Sequence, residues 1–329
     1  MRILDDARHR LARCGSALAV ATTVLAGCAP SAPERTLSLN PVNGLANPRQ
    51  MLEAINGRLS LPSAHASWLK ADSTPHLLYV SDAENGFVDV YSLKTKHLVG
   101  QIAANHPTGL ASDASNKLYV TNLFGGNTTV YAFGQTRPSL TLTDPGGRPD
   151  AVAVGTNGTV YVADENGEVY IYAPGATLST SSLSNGWVQS ADAVTVDAAN
   201  DVYVTGFNRV GVAEVVEYPK AREPGINLRL QGLEGPAGIA LDRRGRIVLA
   251  DMLKPGINVF KRNATSPYRV FARSENPNRF AFNRAKSRVY APMSSSDVNI
   301  YDYGSGTLVA TLAGPSGSVM IGAALVPAP

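Results

Sequence analysis

This sequence contains few cysteines and histidines, and its net charge is small. Its 329 residues include 2 cysteines and 5 histidines, and the formal net charge is +3. Cys14 lies inside a basic N-terminal segment that ends just before Cys28, so removal of that segment would leave no second cysteine for a disulfide. The rest of the chain must then be stabilised by packing. The low charge also excludes a globally basic nucleic-acid-binding protein.

Motifs of hydrolytic catalysis are missing as well. No Gly-x-Ser-x-Gly elbow surrounds a serine, and no His-Glu-x-x-His sequence is present to bind zinc. His106 precedes Pro107 at the start of a predicted strand, and a position in a surface turn is the simpler interpretation for it. The histidines after residue 28 all lie in the first third of the chain, and they are His65, His76, His97 and His106.

The first 27 residues have the organisation of an export signal. Four arginines and two aspartates precede an apolar run over 16–26, which is too short to span a bilayer. The run ends at Leu25-Ala-Gly-Cys28, which resembles the lipobox of bacterial lipoproteins. The resemblance implies that Cys28 is lipidated after removal of residues 1–27. It also implies a cell-envelope location, and Ala29 favours the outer membrane, facing the periplasm or the cell surface. An ordinary cleaved signal is the alternative.

The composition changes after the N-terminal export signal, residues 1–27, which is called the leader below. Residues 28–60 are rich in Pro, Ser and Asn, which predicts a flexible lipidated tether. Residues 61–329 carry frequent Gly and Pro between short apolar segments, and we expect a single folded domain there. Because the leader holds four Arg against two Asp, about +1 remains for the rest of the chain.

A short sequence motif typical of a β-strand recurs through this domain. Lys117-Leu-Tyr-Val-Thr-Asn122 has five altered copies, and the steps between the central residues are 40, 42, 42, 45 and 42 residues. A period of this length with several strands in each repeat predicts the blades of a β-propeller. The central residues of the six copies are Tyr79, Tyr119, Tyr161, Tyr203, Val248 and Tyr290.

Each repeat contains four strand signals separated by turn residues. Six complete sets predict an all-β fold with six blades of four antiparallel strands, in which small residues mark the first strand because inner strands crowd around a central channel. The degenerate segment 67–70 is the candidate first strand of the opening repeat. The tail 318–326 is a further strand-like run, which either clasps the first blade or joins the tether in a seventh blade.

Two segments resemble known propeller repeats over about residues 62–314. The segment 117–131 resembles the bacterial YVTN repeat, and the segment 235–247 resembles the NHL and lactonase-type repeats. These repeats occur in binding proteins, scaffolds, lyases and lactonases alike. The resemblance therefore implies a binding or scaffolding module, and the alternative that it implies is a metal-dependent hydrolase or lyase acting at the channel mouth.

Polar residues begin several of the predicted inner strands. Asp150 and Asp192 come from neighbouring repeats, and together they could hold a divalent cation such as Ca²⁺, which prefers oxygen ligands. Turn capping is the simpler interpretation. The lactonase resemblance is incomplete, because Glu234-Gly-Pro236 lies in the fifth repeat and the partner Asn motifs are missing. The candidate ligand-binding residues at the mouth are Thr108, Asp150, Asp192 and Asn278.

A second set of polar residues ends the second strand of four repeats. Because the same position recurs from blade to blade, a hydrogen bond to the following turn explains these residues better than a shared metal site. They are Asp82, Asn122, Asp164 and Asp251.

Positive charge is concentrated in one part of the domain. Residues 236–290 contain twelve Lys or Arg against three acidic residues, so this segment is +9. A basic sector of the ring would attract anionic lipid headgroups, acidic glycans or an acidic protein face. A solvated surface is the alternative, nucleic acid is not an expected partner, and we expect a monomer. The candidate partner surface consists of Arg243, Arg244, Arg246, Arg284 and Lys286.

Overall fold

The computed structural model describes residues 76–184 and 186–326. Within these ranges the chain forms 24 strands and one 3₁₀ turn at Pro219–Ala221, and the strands build six antiparallel sheets of four. This is the predicted six-bladed β-propeller. No helix within these ranges has the length and the hydropathy needed to span a bilayer.

The first three blades lie between residues 77 and 183, together with the last strand of the chain. Blade 1 contains β1 (Leu77–Asp82), β2 (Phe87–Ser92), β3 (Leu98–Ala103) and the C-terminal β24 (Met320–Val326). Blade 2 contains β4 (Pro107–Ser112), β5 (Leu118–Asn122), β6 (Asn127–Tyr131) and β7 (Leu140–Thr143). Blade 3 contains β8 (Pro149–Val154), β9 (Val160–Asp164), β10 (Val169–Tyr172) and β11 (Ser181–Leu183).

The other three blades follow in chain order. Blade 4 contains β12 (Ser190–Val196), β13 (Val202–Phe207), β14 (Ala213–Tyr218) and β15 (Ile226–Asn227). Blade 5 contains β16 (Pro236–Leu241), β17 (Ile247–Asp251), β18 (Gly256–Phe260) and β19 (Arg269–Phe271). Blade 6 contains β20 (Ala281–Phe282), β21 (Arg288–Pro292), β22 (Asp297–Asp302) and β23 (Leu308–Ala313).

The two ends of the described chain meet in blade 1. β24 is the innermost strand of that blade and pairs antiparallel with β1, with Tyr79 opposite Ala324. The prediction of six blades with a clasping tail is therefore confirmed, and the seven-blade alternative is wrong. The innermost position of blade 1, for which the sequence suggests 67–70, is occupied by β24; residues 67–70 themselves lie outside the described residues. The small residues 322–324 give β24 the composition of an inner strand.

Inner strands approach one another closely, and this explains their small residues. An added Cβ at Gly238 of blade 5 would lie 2.8 Å from Cα of Arg279 in blade 6. A Cβ at Gly322 of β24 would overlap the carbonyl oxygen of Thr108 in blade 2. Larger aromatic side chains fill the space between blades farther from the axis, and those almost fully buried include Tyr79, Tyr161, Tyr172, Tyr218 and Phe260.

We expect Gly322→Ala to destabilise the closed ring by about 1–3 kcal/mol, the usual range for overpacking a tight site. The new methyl group would meet backbone atoms of Thr108, which cannot move without shifting β4. Gly304→Ala is the matched control, since its Cβ would approach only the end of the Asp302 side chain, at 3.2 Å. Urea unfolding of both variants measures the difference. Equal stabilities would show that the ring does not close through tight contact of β24 with blade 2.

Candidate functional site

The inner strands share an irregularity near their starts that defines the channel mouth. The pairing of β8 with β9 shifts between Pro149 and Ala151, and the pairing of β12 with β13 shifts between Ala191 and Ala193. Asp150 and Asp192 are therefore the extra residues of β-bulges, which redirect side chains and leave them outside the regular ladder. Similar shifts occur at the starts of β4 and β16. Thr108, Asp150 and Asp192 thus all lie at irregular starts of inner strands, and Asn278 precedes β20.

Two of the predicted ligand residues hold neighbouring blades together. Thr108 is buried, and its hydroxyl donates to the carbonyl oxygen of Asp150 in the next blade at 2.8 Å. The side-chain amide of Asn278, which precedes β20, donates to the carbonyl oxygen of Met320 in the closing strand at 2.6 Å. Both side chains are therefore engaged in contacts between blades.

Arg279 crosses the channel and was not among the predicted site residues. Its guanidinium pairs with the carboxylate of Asp150, which lies 129 residues away in sequence and three blades away in the ring. The same guanidinium donates through Nε and Nη2 to the carbonyl oxygen of Asp192, at 3.0 and 2.6 Å. Arg279 of blade 6 thus links the Asp150 side chain of blade 3 to the backbone of blade 4 across this end of the channel.

Burial controls the protonation of the two mouth carboxyls. Burial raises the pKa of Asp150 to about 6, although the positive charge of Arg279 opposes that rise. Burial and the neighbouring charge of Asp150 raise the pKa of Asp192 to about 8. Near neutral pH the mouth therefore holds one ionised carboxylate, one guanidinium and one mostly protonated carboxyl group.

This arrangement bears on the predicted calcium site. The carboxylate of Asp150 is already bound by a cation, and Asp192 is mostly neutral. In the part of the chain that the structure describes, no group of three or more His, Cys, Asp or Glu side chains could hold a metal ion. The calcium site stays a prediction, and the geometry lends no support to the metal-dependent hydrolase or lyase.

Beyond the mouth the channel becomes a space of about 230 Å³ lined by the later halves of the inner strands. Its lining side chains are small or apolar and come from all six blades; they include Ala111, Val154, Val196, Ala240, Phe282 and Leu325. The charged side chains Asp150 and Arg279 thus lie at the start of the inner strands, and small or apolar side chains line the channel farther along.

The recurring Asp and Asn residues at the end of the second strand have a structural role, as predicted. Oδ1 of Asp164 accepts a hydrogen bond from the backbone N–H of Asn166 in the following turn at 2.7 Å. Oδ2 of Asp164 also accepts from the backbone N–H of Arg148, at 2.8 Å. Asp251 likewise binds the turn at Lys254 and the entering loop at Gly235. The turn was predicted, and the second contact, which fixes the loop leading into the inner strand, was not.

The predicted basic surface lies at the other end of the ring. Arg243, Arg244 and Arg246 belong to the hairpin between β16 and β17, and Lys286 belongs to the hairpin between β20 and β21. These hairpins follow the inner strands, so they are opposite the mouth. All four residues line one cleft of about 330 Å³, here called the basic cleft, together with Asp242, Tyr268, Arg269, Tyr303 and Gly304. Arg284, the fifth predicted residue, is exposed and does not line it.

Asp242 organises the floor of the basic cleft. Its Oδ1 accepts from the backbone N–H groups of Arg244 and Arg246 at 2.8 and 3.0 Å. Its Oδ2 accepts from Nε of Arg246 at 2.5 Å and from the hydroxyl of Tyr303 in blade 6 at 2.9 Å. Burial alone would raise the pKa of Asp242, but these donors outweigh burial and hold the pKa below its usual value. One carboxylate therefore fixes both the hairpin and the contact between blades 5 and 6.

Several cations of the cleft already have partners in the protein. Arg269 donates to the carbonyl oxygens of Tyr303 and Gly304, both at 2.7 Å, and its guanidinium lies 4.8 Å from the ring centre of Tyr303. Lys286 donates to the carbonyl oxygen of Leu241, and burial lowers its pKa. These side chains contribute charge to the cleft and also donate to backbone carbonyl oxygens of the protein.

Comparisons with known proteins establish the fold and leave the function open. No protein-family model and no curated protein matches this chain. The propeller is similar to a chain in a crystal structure of a nidogen/laminin complex, with a TM-score of 0.62, 16% identity, and coverage of 76% of this chain and 98% of that chain. It is also similar to a protein of unknown function from Bacteroides caccae, with a TM-score of 0.62, 11% identity, and coverage of 77% and 99%. At such identities the likeness shows the six-bladed fold alone.

Replacement of Asp192 by Asn should change the pH dependence of stability. The pKa of Asp192 rises from 3.8 to about 8 on folding, so its contribution to stability is complete at acid pH and is lost as the pH rises through about 8. Asn stays neutral at every pH. Wild type should therefore lose stability relative to Asp192→Asn between about pH 4 and about pH 8, as measured by urea unfolding. Glu84→Gln, at an exposed carboxylate, is the control and should show no such difference from wild type. If the profile of Asp192→Asn also ran parallel to that of wild type, the proposal that Asp192 is buried and protonated would be wrong.

Proposed function

We propose that this chain is a lipid-anchored, extracytoplasmic β-propeller of the YVTN and NHL type that binds an anionic component of the cell envelope as a binding or scaffolding module. One observation carries the proposal: four residues chosen from the sequence for their charge line a single cleft. Five cationic side chains and one carboxylate line that cleft, so its net charge is strongly positive. A concave surface with one sign of charge concentrates ligands of the opposite sign.

The anchor rests on the sequence. A basic leader, a short apolar run and Leu25-Ala-Gly-Cys28 support lipidation at Cys28, and the tether 28–60 would connect the lipid to the propeller. A solved relative in fold that is part of a nidogen/laminin complex supports the use of such a ring for binding a partner. A protein held in the envelope would meet anionic lipids and glycans at high local concentration.

Reversal of charge in the basic cleft should abolish binding of the envelope partner. In full-length protein cross-linked in intact cells, Arg243→Glu combined with Arg244→Glu should lower recovery of the cross-linked component at least about tenfold, because favourable charge pairs become repulsive. Both side chains are exposed and have no hydrogen-bond or ion-pair partner among the described residues, so folding should be unaffected.

Arg262→Glu combined with Arg284→Glu is the matched control for this experiment. The control makes the same charge change on the same sector, outside the cleft lining. Its recovery should stay near that of wild type, and recovery by wild type should fall with rising salt. Equal losses in the two double variants would contradict a partner site in the cleft.

The anchor has a separate test. Palmitate fed to cells should label the wild-type protein, and Cys28→Ala should abolish the label because Cys28 is the proposed acceptor. Fractionation should then move the variant out of the membrane fraction. Normal labelling of Cys28→Ala would refute the lipidation site, while the binding experiment on the basic cleft would keep its meaning.

A further inference from the structure

We infer that the basic cleft is a phosphate-binding site, which takes a phosphate monoester or diphosphate group carried by a soluble molecule or by a lipid headgroup. The inference rests on the proposed function and specifies the chemical class of the ligand. The arguments come from the turn that carries Arg243 and Arg244, from the partners of the other cations, and from the size of the cleft.

The turn between β16 and β17 does not require arginine at 243 or 244. Blades 2 and 4 build the same turn, in which an Asp at the first position accepts from the backbone N–H groups two and four residues later. The fourth position has positive φ in each case, and it is occupied by Asn116, Asn200 and Gly245. The two intervening positions are Ala-Ser in blade 2, Ala-Ala in blade 4 and Arg-Arg in blade 5. Small residues are sufficient for the turn, so the two arginines have no role in forming it.

Arg243 and Arg244 are also the cations of the cleft that remain free to bind. Among the described residues neither guanidinium has a hydrogen-bond or ion-pair partner. By contrast, Arg246 pairs with Asp242 and donates to the Tyr268 hydroxyl, and Arg269 is held by backbone carbonyl oxygens. Two adjacent planar guanidinium groups on a fixed turn are well suited to bidentate contacts with the oxygens of a phosphate.

The charge balance favours a compact, multiply charged anion. Asp242 is the one acidic residue among the cleft-lining side chains, and its two oxygens are occupied by the hairpin backbone, Arg246 and Tyr303. A single carboxylate ligand would leave most of the positive charge uncompensated. A phosphate monoester carries up to two negative charges near neutral pH and has three acceptor oxygens. It therefore matches both the charge and the donors of the cleft.

The dimensions of the cleft favour a small group over a protein surface. Its volume of about 330 Å³ is near the lower end of the range for small-molecule pockets. Tyr268 is 42% exposed and lines the cleft, with the Arg246 guanidinium 5.3 Å from its ring centre, so it adds aromatic carbon surface beside the cations. A phosphorylated sugar or a glycerophosphate headgroup has a suitable size and shape.

Titration of the detergent-solubilised, full-length protein with inorganic pyrophosphate tests the inference. Wild type should bind with a dissociation constant below about 1 mM. Arg243→Gln combined with Arg244→Gln should weaken binding at least about tenfold, because it removes both free guanidinium groups. Arg262→Gln combined with Arg284→Gln should stay within about twofold of wild type, since it removes equal charge outside the cleft. Circular dichroism confirms the fold of each variant.

Competition distinguishes the source of the phosphate. Radiolabelled pyrophosphate is bound to the protein first, and its displacement by each competitor is measured. Retention of the protein on lipid is not used as the readout, because the acyl anchor would insert into any bilayer. Displacement by glycerol 3-phosphate alone would support a soluble ester. Displacement by nanodiscs containing phosphatidic acid, with none by phosphatidylcholine nanodiscs, would support a lipid headgroup. Citrate is the control anion and should displace the probe poorly.

Three results would overturn the inference: no binding of pyrophosphate by wild type, equal weakening in the two double variants, or displacement by citrate as effective as by the phosphates. These results are separable from the fate of the proposed function. If charge reversal abolishes the cross-linked envelope partner in cells while pyrophosphate does not bind, the binding function stands and the phosphate assignment is wrong. If pyrophosphate binds and no envelope partner depends on the cleft, the phosphate assignment stands and the proposed binding function is wrong.

Discussion

Close packing of inner strands around a narrow axis is the constraint on which this molecule depends. Neighbouring inner strands leave no space for a Cβ at Gly238 or Gly322, so each blade is held in place by the backbone of the next. The ring has to close for such contacts to exist on both sides of every blade, and β24 closes it by pairing with β1. Since no disulfide is available to the body of the protein, this packing and the hydrogen bonds between blades supply its stability.

Bulges at the start of the inner strands follow from the same crowding and determine what the channel mouth can do. They direct Asp150 and Asp192 toward the axis, where burial makes an isolated charge unfavourable. Arg279 compensates for one carboxylate, and the other keeps its proton near neutral pH. The groups at the mouth are therefore satisfied by one another. The contacts of Arg279 with Asp150 and Asp192 link blades 3, 4 and 6 across the axis.

Much of this architecture could be predicted from the sequence because it depends on local repetition. The period of the Tyr-Val phrase gave the number of blades, and the starts of the inner strands gave the positions of Thr108, Asp150 and Asp192. Arg279 could not be placed in this way, since its partner lies 129 residues away and local sequence does not specify which side chain crosses the axis. The basic segment placed Arg243, Arg284 and Lys286 on one candidate surface; Arg243 and Lys286 line the same cleft, and Arg284 is exposed outside its lining.

The basic cleft differs from the mouth in how its charges are used, and this difference explains why binding is assigned to the cleft. Asp242 offsets one positive charge of the cleft, but its oxygens contact the hairpin backbone, Arg246 and Tyr303, so it forms no ion pair with Arg243 or Arg244. Arg243 and Arg244 are consequently held in place by a rigid turn while their guanidinium groups keep their full hydrogen-bonding capacity. The backbone that carries them is already ordered, so binding has to order only the two side chains. Among the described residues, Arg243 and Arg244 line the basic cleft without a hydrogen-bond or ion-pair partner, so recognition is assigned to that end of the ring.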